Sequence, residues 1–285
     1  MDKSKILVTG SSGHVGAELV KALRNEGHSV SGLDTVNGSF TNLIGSITEE
    51  RLVDEATNKV DVIIHTASLH APHVADHSKK EFVDVNVHGT LNLLEAAKTN
   101  GTKKFIYTST TSLYGEQFEN ENMATWITED LPPKPRDIYD ITKIAAEQLC
   151  KDFFDRKSLQ TTSLRVSRFW NEPVADKVFY RMYRGVDVHD VVKAHQLVMD
   201  HDLDQFEIFN ISAEPLFEKD DLLALRADLK GVLQDRIPEI IQCYGQKGWT
   251  LPHFIDRVYV IEKAKEILGY QPQFNIRELM SEIGC

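Results

Sequence analysis

A tyrosine and a lysine stand four residues apart in the middle of the chain, in the run Tyr139-Asp-Ile-Thr-Lys143. On a helix this spacing puts a phenol and an ammonium group one turn apart on the same face. The charge of the lysine would lower the pKa of the phenol, so that Tyr139 could act as a general acid or base near neutral pH. A surface pair has the same spacing, so the meaning of the pair depends on the elements that position it.

Three glycines near the amino terminus follow a short apolar run, in a T-G-x-x-G-x-x-G pattern that begins at Thr9. Gly10 permits a tight turn, Gly13 lets the backbone approach a pyrophosphate, and Gly16 allows close contact between helix and strand. The start of the following helix offers free N–H groups and the positive end of a dipole. Between a strand and a helix, the pattern predicts a nucleotide site; the alternative is a glycine-rich turn without a ligand.

An acidic residue, Asp34, ends the second predicted strand, about 20 residues after the glycines. A carboxylate at this place accepts both ribose hydroxyls of NAD and repels the 2′-phosphate of NADP. Thr35 and Val36 follow it, so that neither an arginine nor a lysine is there to accept the extra phosphate. The sequence therefore predicts NAD as the cofactor, the alternative being an aspartate that only forms a turn.

The composition is that of a folded protein of 285 residues, with 41% hydrophobic and 26% charged residues and a formal net charge of −11. No cluster of lysine and arginine indicates nucleic-acid binding, and no apolar run reaches the roughly 18 residues of a membrane span. We therefore expect a cytoplasmic protein that acts on a small molecule, with neither a nucleic-acid nor a membrane partner. Cys150, Cys243 and Cys285 are far apart in the sequence, and we expect reduced thiols.

Strand and helix patterns alternate through the first two-thirds of the chain, which predicts a Rossmann-type, doubly wound parallel sheet in an α/β fold. The predicted strands cover residues 5–9, 28–34, 43–47, 60–66, 104–109 and 161–166. The predicted helices cover residues 14–25, 48–59 (with Thr48 as its cap), 79–100 and 137–155. Looser patterns follow at 187–199, 205–211, 219–233 and 261–268. We expect an NAD-binding domain over residues 1–166 and a small substrate lobe over 167–285, interleaved with the end of the main sheet.

The order of these motifs resembles the extended short-chain dehydrogenases/reductases of the NAD-dependent epimerase/dehydratase family. Three further segments match in order: Val62-Ile-Ile-His-Thr-Ala67, Asp84-Val-Asn-Val-His-Gly-Thr90 and Thr108-Ser-Thr-Thr-Ser-Leu-Tyr-Gly115. The similarity covers essentially the whole chain, strongly to about residue 166 and loosely after it. It implies an NAD-linked oxidoreductase, and it allows a homodimer through the helices near residues 79–100 and 138–155.

The resemblance also implies roles for single residues. Tyr139 would shuttle the proton, Thr110 would hold the reacting oxygen, and Lys143 would grip the nicotinamide ribose. Asn86 would shape the site and Ser112 would hydrogen-bond the substrate, although the hydroxyls of Thr110 and Ser112 are also explained as strand-end groups. The expected cofactor contacts are Gly10, Ser12, Gly13, His14, Val15, Gly16, Asp34, Ala67, Tyr139 and Lys143.

Some positions depart from the family pattern and bear on the substrate. Ser46 stands where the family often has an aspartate that contacts adenine. Arg168 follows the sixth strand where an asparagine often contacts a nucleotide-sugar, and the stretch after it is short. Arg257 lies where related enzymes often place an anion-contacting arginine. These departures favour a sugar or sugar acid over a nucleotide-sugar, with Arg168 paired either to a substrate carboxylate or to Glu172.

Three histidines, His70, His73 and His77, are close in sequence, but no cysteine accompanies them. We therefore predict no metal site and expect this loop to lie over the nicotinamide or the substrate.

Three functions are open on the sequence alone. One is hydride transfer between NAD and a secondary alcohol or ketone of a compact polar substrate. Another is a nucleotide-sugar epimerase with tightly bound NAD, and the last is a non-catalytic NAD-binding protein. A dehydratase is disfavoured because Thr111 and Ser112 stand where such enzymes have an Asp-Glu pair.

Overall fold

The structure is a computed structural model that describes residues 3–118 and 120–285, and it divides the chain into two compact units. The first unit comprises the described residues up to Leu113 together with Pro135–Arg165 and Val192–Ile208. The second comprises Tyr114–Lys134, Val166–Val191 and Phe209–Cys285. The chain therefore passes between the units repeatedly; from the sequence we expect a boundary at residue 166, with the second lobe interleaved with the end of the main sheet.

The strands, numbered along the chain, are β1 (Lys5–Thr9), β2 (Ser29–Asp34), β3 (Leu43–Ile44), β4 (Val62–His65), β5 (Lys104–Thr110), β6 (Thr125–Ile127), β7 (Gln160–Val166), β8 (Glu207–Ile211) and β9 (Arg257–Tyr259). Seven of them form one sheet in the order β3-β2-β1-β4-β5-β7-β8. Strand β1 pairs in parallel with β2 and β4, and β4 pairs in parallel with β5. The predicted Rossmann-type sheet is confirmed.

The helices are α1 (His14–Asn25), α2 (Glu50–Thr57), α3 (Lys79–Val83), α4 (Gly89–Thr99), α5 (Ile138–Asp155), α6 (Val174–Arg181), α7 (Val188–Asp200), α8 (Ala224–Ala227), α9 (Leu229–Arg236), α10 (Pro238–Lys247), α11 (Glu262–Leu268) and α12 (Ile276–Glu282). A π-helical segment, Asp84–His88, joins α3 to α4, so the long helix expected over residues 79–100 has a local irregularity. Helix α2 begins after Glu49, so the prediction of Thr48 as its cap is wrong. Within the described part of the chain, no helix is long and apolar enough to cross a membrane.

Burial explains why the central strands form where they do. The side chains of β4 are all buried, as are those of β1 after Lys5, which is the pattern of strands covered by helices on both faces. Helix α1 is amphipathic and buries Val15, Leu19 and Leu23 on one face. This packing places the carboxyl ends of β1, β2, β4 and β5 along one edge of the sheet, where α/β proteins bind ligands.

The second unit contains a two-stranded parallel sheet of β6 and β9 and a separate core. The buried residues of this core include Met182, Leu233, Ile240 and Val258. The pattern over residues 219–233 divides at Asp228, which ends α8 and caps α9.

The expectation of reduced cysteines is wrong for two of the three. Cys243 of α10 and Cys285 form a disulfide, with their Cα atoms 5.1 Å apart. Their sequence separation of 42 residues gave no sign of this, because folding of the second unit brings the two segments together. Cys150 is a free thiol buried in the core of the first unit, and burial raises its pKa.

Candidate active site

Tyr139 and Lys143 lie in the first two turns of α5, and both are almost completely buried, with 6% and 2% of their surface exposed. The side chain of Asp137 caps this helix by accepting the backbone N–H of Asp140 at 3.0 Å. The cap fixes the residue at which α5 begins. It therefore also fixes where Tyr139, in the first turn, lies along the helix. The structure thus places the phenol and the ammonium group one turn apart, away from solvent.

The Tyr139 side chain hydrogen-bonds Thr110 at the end of β5. Burial raises the pKa of Tyr139 well above its ordinary value, against the lowering effect of the Thr110 hydrogen bond, and the charges of Asp140 and Asp137 raise it further. From the sequence we expect Lys143 to lower this pKa. That expectation is wrong because desolvation of the phenol outweighs the favourable contacts.

Lys143 directs its ammonium group to the sheet. Its Nζ donates to the carbonyl oxygen of Thr108 at 2.7 Å and lies 4.2 Å from the centre of the Tyr107 ring. Burial lowers the pKa of Lys143 to about 7, although the negative charge of Glu147 raises it. A lysine with this pKa carries its charge for part of the time at neutral pH, and so it can respond to a change of charge nearby.

A buried ion pair lies one turn further along α5. Glu147 accepts hydrogen bonds from Arg165 of β7 at 2.7 Å and from Ser109 of β5 at 2.6 Å. Both members of the pair are almost fully buried, so each neutralises a charge that would otherwise be very unfavourable there. Glu147 thereby attaches α5 to strands β5 and β7, one helical turn after Lys143.

Asn86 lies in the π-helical segment between α3 and α4 and is 1% exposed. Its side chain accepts the N–H of Leu69 at 2.7 Å and donates to the carbonyl of Leu69 at 3.0 Å. It also donates to the hydroxyl of Thr142 on α5 at 3.1 Å. Asn86 therefore joins the loop after β4 to the helix that carries Tyr139, and irregular helix geometry of this kind is frequent at functional sites.

His65 connects the glycine turn to Asn86 through the hydroxyls of Thr9 and Thr90. Thr90 donates to the carbonyl of Asn86 at 2.7 Å, so its oxygen accepts from His65 Nε2 at 2.9 Å. The imidazole Nδ1 then accepts from Thr9 at 2.7 Å. Burial lowers the pKa of His65 to about 3, so the ring is neutral with one tautomer.

The glycine turn has the geometry that the sequence pattern predicted. Gly10 has a φ of +75°, and a side chain there would meet the Thr66 hydroxyl at 2.6 Å. A methyl group on Gly16 would lie 2.0 Å from the carbonyl oxygen of Gly10. Gly13 precedes α1 and carries no side chain over the free N–H groups of the helix. This open cradle fits the pyrophosphate of a dinucleotide.

Asp34 lies at the end of β2, next to the glycine turn. Its carboxylate accepts the backbone N–H of Ser12 and of Val36, each at 2.9 Å. These bonds orient the carboxylate at the position where a ribose is expected. Of the other expected cofactor contacts, His14 is exposed at the start of α1, Val15 is buried, and Ala67 donates its N–H to the Thr9 hydroxyl at 3.3 Å.

Three residues were expected to bind substrate, and the structure gives each of them a partner within the protein. The hydroxyl of Ser112 donates to Asp140 at 2.6 Å and accepts from Arg136 at 2.6 Å. In the second unit, Arg168 pairs with Glu172, which is the protein partner considered from the sequence, and lies 5.2 Å from the Tyr180 ring. Arg257 pairs with Asp256 and lies 3.3 Å from the Phe118 ring.

The histidine loop after β4 reaches the buried tyrosine. The His70 and Tyr139 rings are 6.1 Å apart, and the N–H of His70 donates to His73 Nδ1 at 3.0 Å. Burial lowers the pKa of His70 to about 4, with smaller contributions from the charges of Lys143 and His73. His77 instead pairs with Glu81 of α3. The described residues contain no group of histidine, cysteine and carboxylate side chains arranged to hold a metal ion.

A glycine turn after the first strand of a parallel sheet, with a tyrosine and a lysine one turn apart on a helix packed beside it, is characteristic of NAD-dependent oxidoreductases and epimerases in the short-chain dehydrogenase/reductase superfamily. Within this class the chain belongs to the NAD-dependent epimerase/dehydratase family, whose model matches residues 6–172. The family is NAD-dependent, and the geometry of the glycine turn and Asp34 agrees with NAD as the cofactor.

Full-length similarity extends to dehydrogenases and epimerases. A 3-beta-hydroxysteroid dehydrogenase of Mycolicibacterium neoaurum is 28% identical, over 99% of this chain and 90% of that protein. A short-chain dehydrogenase/reductase superfamily protein of Agrobacterium tumefaciens, solved with bound NAD, has a TM-score of 0.73 at 22% identity and covers 98% of this chain and 95% of its own. UDP-glucose 4-epimerase of Thermotoga maritima, solved with UDP-glucose, has a TM-score of 0.70 at 24% identity, and the match covers 98% of this chain and 99% of the epimerase chain. The two solved structures share the fold of this chain.

Proposed function

We propose that the protein is a dehydrogenase or reductase that transfers a hydride between NAD and a secondary alcohol or ketone of a small molecule. The observation that carries this proposal is that the buried Tyr139 phenol hydrogen-bonds the side chain of Thr110 and lies one helical turn from the buried Lys143. The dehydrogenase of Mycolicibacterium neoaurum supports it, because that similarity covers nearly the full length of both chains.

When bound, NAD supplies the hydride acceptor or donor, and the protein supplies the proton transfer. Gly10, Gly13 and Gly16 would hold its pyrophosphate, and Asp34 would accept the ribose hydroxyls. Lys143 would hold the second ribose through its ammonium group.

Tyr139 and Thr110 act on the substrate oxygen. Thr110 hydrogen-bonds and orients that oxygen, while Tyr139 gives a proton to a ketone or takes one from an alcohol. Because burial keeps the pKa of Tyr139 above its ordinary value, the phenol holds its proton at neutral pH. Tyr139 is therefore ready to act as the acid in ketone reduction, and alcohol oxidation requires a nearby positive charge such as that of Lys143.

In this proposal, the substrate is a compact polar molecule with a secondary hydroxyl, such as a sugar or sugar acid. The pairing of Arg168 with Glu172 removes the argument for an acidic substrate at that arginine. The Mycolicibacterium relative adds a 3β-hydroxysteroid as a second substrate class to test.

The test measures NADH absorbance with three probes: galacturonate, UDP-glucose and a 3β-hydroxysteroid. Tyr139→Phe should lower turnover of the accepted probe by roughly 10²–10⁴-fold, the usual contribution of a general acid or base. Affinity for NAD, measured by fluorescence titration, should stay near that of the wild type. Tyr244→Phe is the matched control, since it removes a phenol that hydrogen-bonds Ala175 in the second unit.

Two results would contradict the proposal. If Tyr139→Phe keeps near-normal activity on an accepted probe, Tyr139 is not the acid/base group. If UDP-glucose is converted to its epimer with no net formation of NADH, the protein is an epimerase instead.

A further inference from the structure

Asp140 carries a fully buried carboxylate directly after Tyr139 in α5. One carboxylate oxygen accepts the hydroxyl of Ser112 at 2.6 Å. The other accepts the backbone N–H of Arg136 and its Nε, each at 3.1 Å. Three donors therefore satisfy this carboxylate, which explains how a charged group is accommodated without contact with water.

Arg136 also binds Ser112 directly. A terminal nitrogen of its guanidinium donates to the Ser112 hydroxyl at 2.6 Å and to the Ser112 carbonyl at 3.3 Å. Each of the three residues thus contacts the other two, and we call this group the brace (Ser112, Arg136 and Asp140). A closed set of charge-assisted bonds is more rigid than any of its pairs.

The brace joins the two segments that carry the proposed proton-transfer pair. Ser112 lies two residues after Thr110, and its backbone N–H donates to the Thr110 hydroxyl at 3.1 Å. Asp140 is the immediate neighbour of Tyr139. The strand-end turn that holds Thr110 is therefore attached to the helical turn that holds Tyr139 by side chains as well as by the Thr110–Tyr139 bond itself.

We infer that the brace sets the distance between the Thr110 and Tyr139 hydroxyls, so that Ser112, Asp140 and Arg136 are positioning residues for proton transfer. This inference rests on the proposed function of Tyr139. It assigns to Ser112 a role different from the substrate contact expected from the sequence, because the Ser112 hydroxyl is used twice within the brace.

Electrostatics support a functional reason for the arrangement. A buried carboxylate beside Tyr139 opposes loss of the phenolic proton, as the charge of Asp137 also does. Lys143 lies one turn along the helix and His70 faces the phenol ring. Arg136 keeps 46% of its side chain exposed and still turns its guanidinium toward Asp140. Burying an uncharged residue at this position would cost less desolvation free energy than burying the Asp140 carboxylate. The carboxylate is therefore explained if its contact with Ser112 is needed.

The test compares Ser112→Ala, Ser112→Thr and Asp140→Asn with a matched control. Asp152→Asn is the control, because Asp152 pairs with Arg156 at the same i, i+4 spacing on an exposed part of α5. Ser112→Ala should lower kcat by about tenfold, the size of one lost buried hydrogen bond. It should leave NAD affinity unchanged, and Ser112→Thr, which keeps the hydroxyl, should restore kcat.

The pH profile separates positioning from charge. Asp140→Asn removes a negative charge next to Tyr139, so the pH at which the phenol titrates in the kcat profile should fall. Ser112→Ala changes no charge and should lower kcat without moving that pH. If Ser112 has only a structural role, Ser112→Ala should leave kcat unchanged across the whole pH profile.

Amide hydrogen exchange gives a readout that needs no substrate. The amide of residue 112 should exchange at least about tenfold faster in Asp140→Asn than in the wild type or Asp152→Asn, since its turn loses an anchor.

Failure of the inference differs from failure of the proposed function. An active Tyr139→Phe variant contradicts the proposed function, whatever the brace variants do. If Tyr139→Phe is inactive while Ser112→Ala and Asp140→Asn match the wild type in kcat and exchange, the brace has no positioning role. If those two variants lose NAD affinity as much as kcat, they disturb the whole unit, and the inference is also wrong.

Discussion

His65 should make the protein sensitive to acid, and the size of the effect follows from its burial. The ring is 1% exposed, its two nitrogens are both bonded to threonine hydroxyls, and its pKa is lowered to about 3. In the unfolded chain the pKa returns to the ordinary value of 6.5. Below this value the unfolded state binds a proton that the folded state cannot accept, so stability falls as the pH falls.

The magnitude can be worked out for the range between pH 6.5 and pH 5. A proton bound only by the unfolded state costs about 1.4 kcal/mol per pH unit once it is fully bound, and at pH 6.5 it is half bound, so His65 alone should remove about 1.6 kcal/mol between pH 6.5 and pH 5. His70, whose pKa is lowered to about 4, acts in the same direction, but it is only partly buried and contributes less. Lys143 adds little slope here, because below its pKa of about 7 it is protonated in both states.

Urea unfolding at a series of pH values measures this slope. His65→Gln should be less stable than the wild type at neutral pH, yet lose less stability between pH 6.5 and pH 5. His253→Gln is the control, because His253 is exposed and its replacement should leave the slope unchanged. If the wild type shows no slope in this range, or if His65→Gln keeps the full slope, His65 is not a neutral buried ring.

Three further predictions concern the first unit's backbone, its ion pair and its cofactor, with Gly245 of the second unit as a control. Gly16→Ala should destabilise by about 1–3 kcal/mol, because its methyl group would lie 2.0 Å from a backbone oxygen. Gly245→Ala, with nothing within 4 Å, should stabilise by about 0.5–1 kcal/mol, and thermal unfolding compares the two. Arg165→Met should cost about 3–5 kcal/mol in urea unfolding, since it leaves the Glu147 carboxylate unpaired, and adding Glu147→Gln should recover part of the loss. Asp34→Asn should reduce the ratio of NAD affinity to NADP affinity measured by fluorescence titration. Equal affinities of the wild type for the two cofactors would contradict the assignment of Asp34 to the ribose hydroxyls.

Local patterns predicted the first half of the fold well. Strand β1 and helix α1 have the predicted boundaries. The apolar run, the glycine turn and the amphipathic stretch that define them follow one another directly in the sequence. The spacing of Tyr139 and Lys143 was enough to place both on one face of α5. Each of these features depends on residues a few positions apart, which is the range that periodicity can report.

Features that depend on distant residues were not predicted. Strands β6 and β9 are three residues each and pair across more than a hundred positions, so neither has a clear pattern of its own. The same holds for the disulfide of Cys243 with Cys285, since spacing in the sequence does not report distance in space. The raised pKa of Tyr139 was missed for a related reason: the sequence shows the lysine nearby but not how fully the phenol is desolvated.

The candidate site shows most clearly why residue type alone was insufficient. A serine after β5 and an asparagine in a helix both have groups that could bind a ligand, and the sequence could not distinguish this from binding another part of the protein. In the structure, Asn86 holds Leu69 and Thr142. It also receives, through Thr90 and His65, a chain of hydrogen bonds that begins at Thr9, the residue before the glycine turn.

That chain has a consequence for the proposed reaction. Thr9 precedes the turn that would hold the cofactor, and Thr142 lies on the helix that carries Tyr139, so one buried network joins the two halves of the site. The hydroxyls of Thr9 and Thr90 each have one orientation, because the Thr90–Asn86 bond determines the tautomer of His65. Such a network resists small displacements of either half, which is what hydride and proton transfer between fixed groups require.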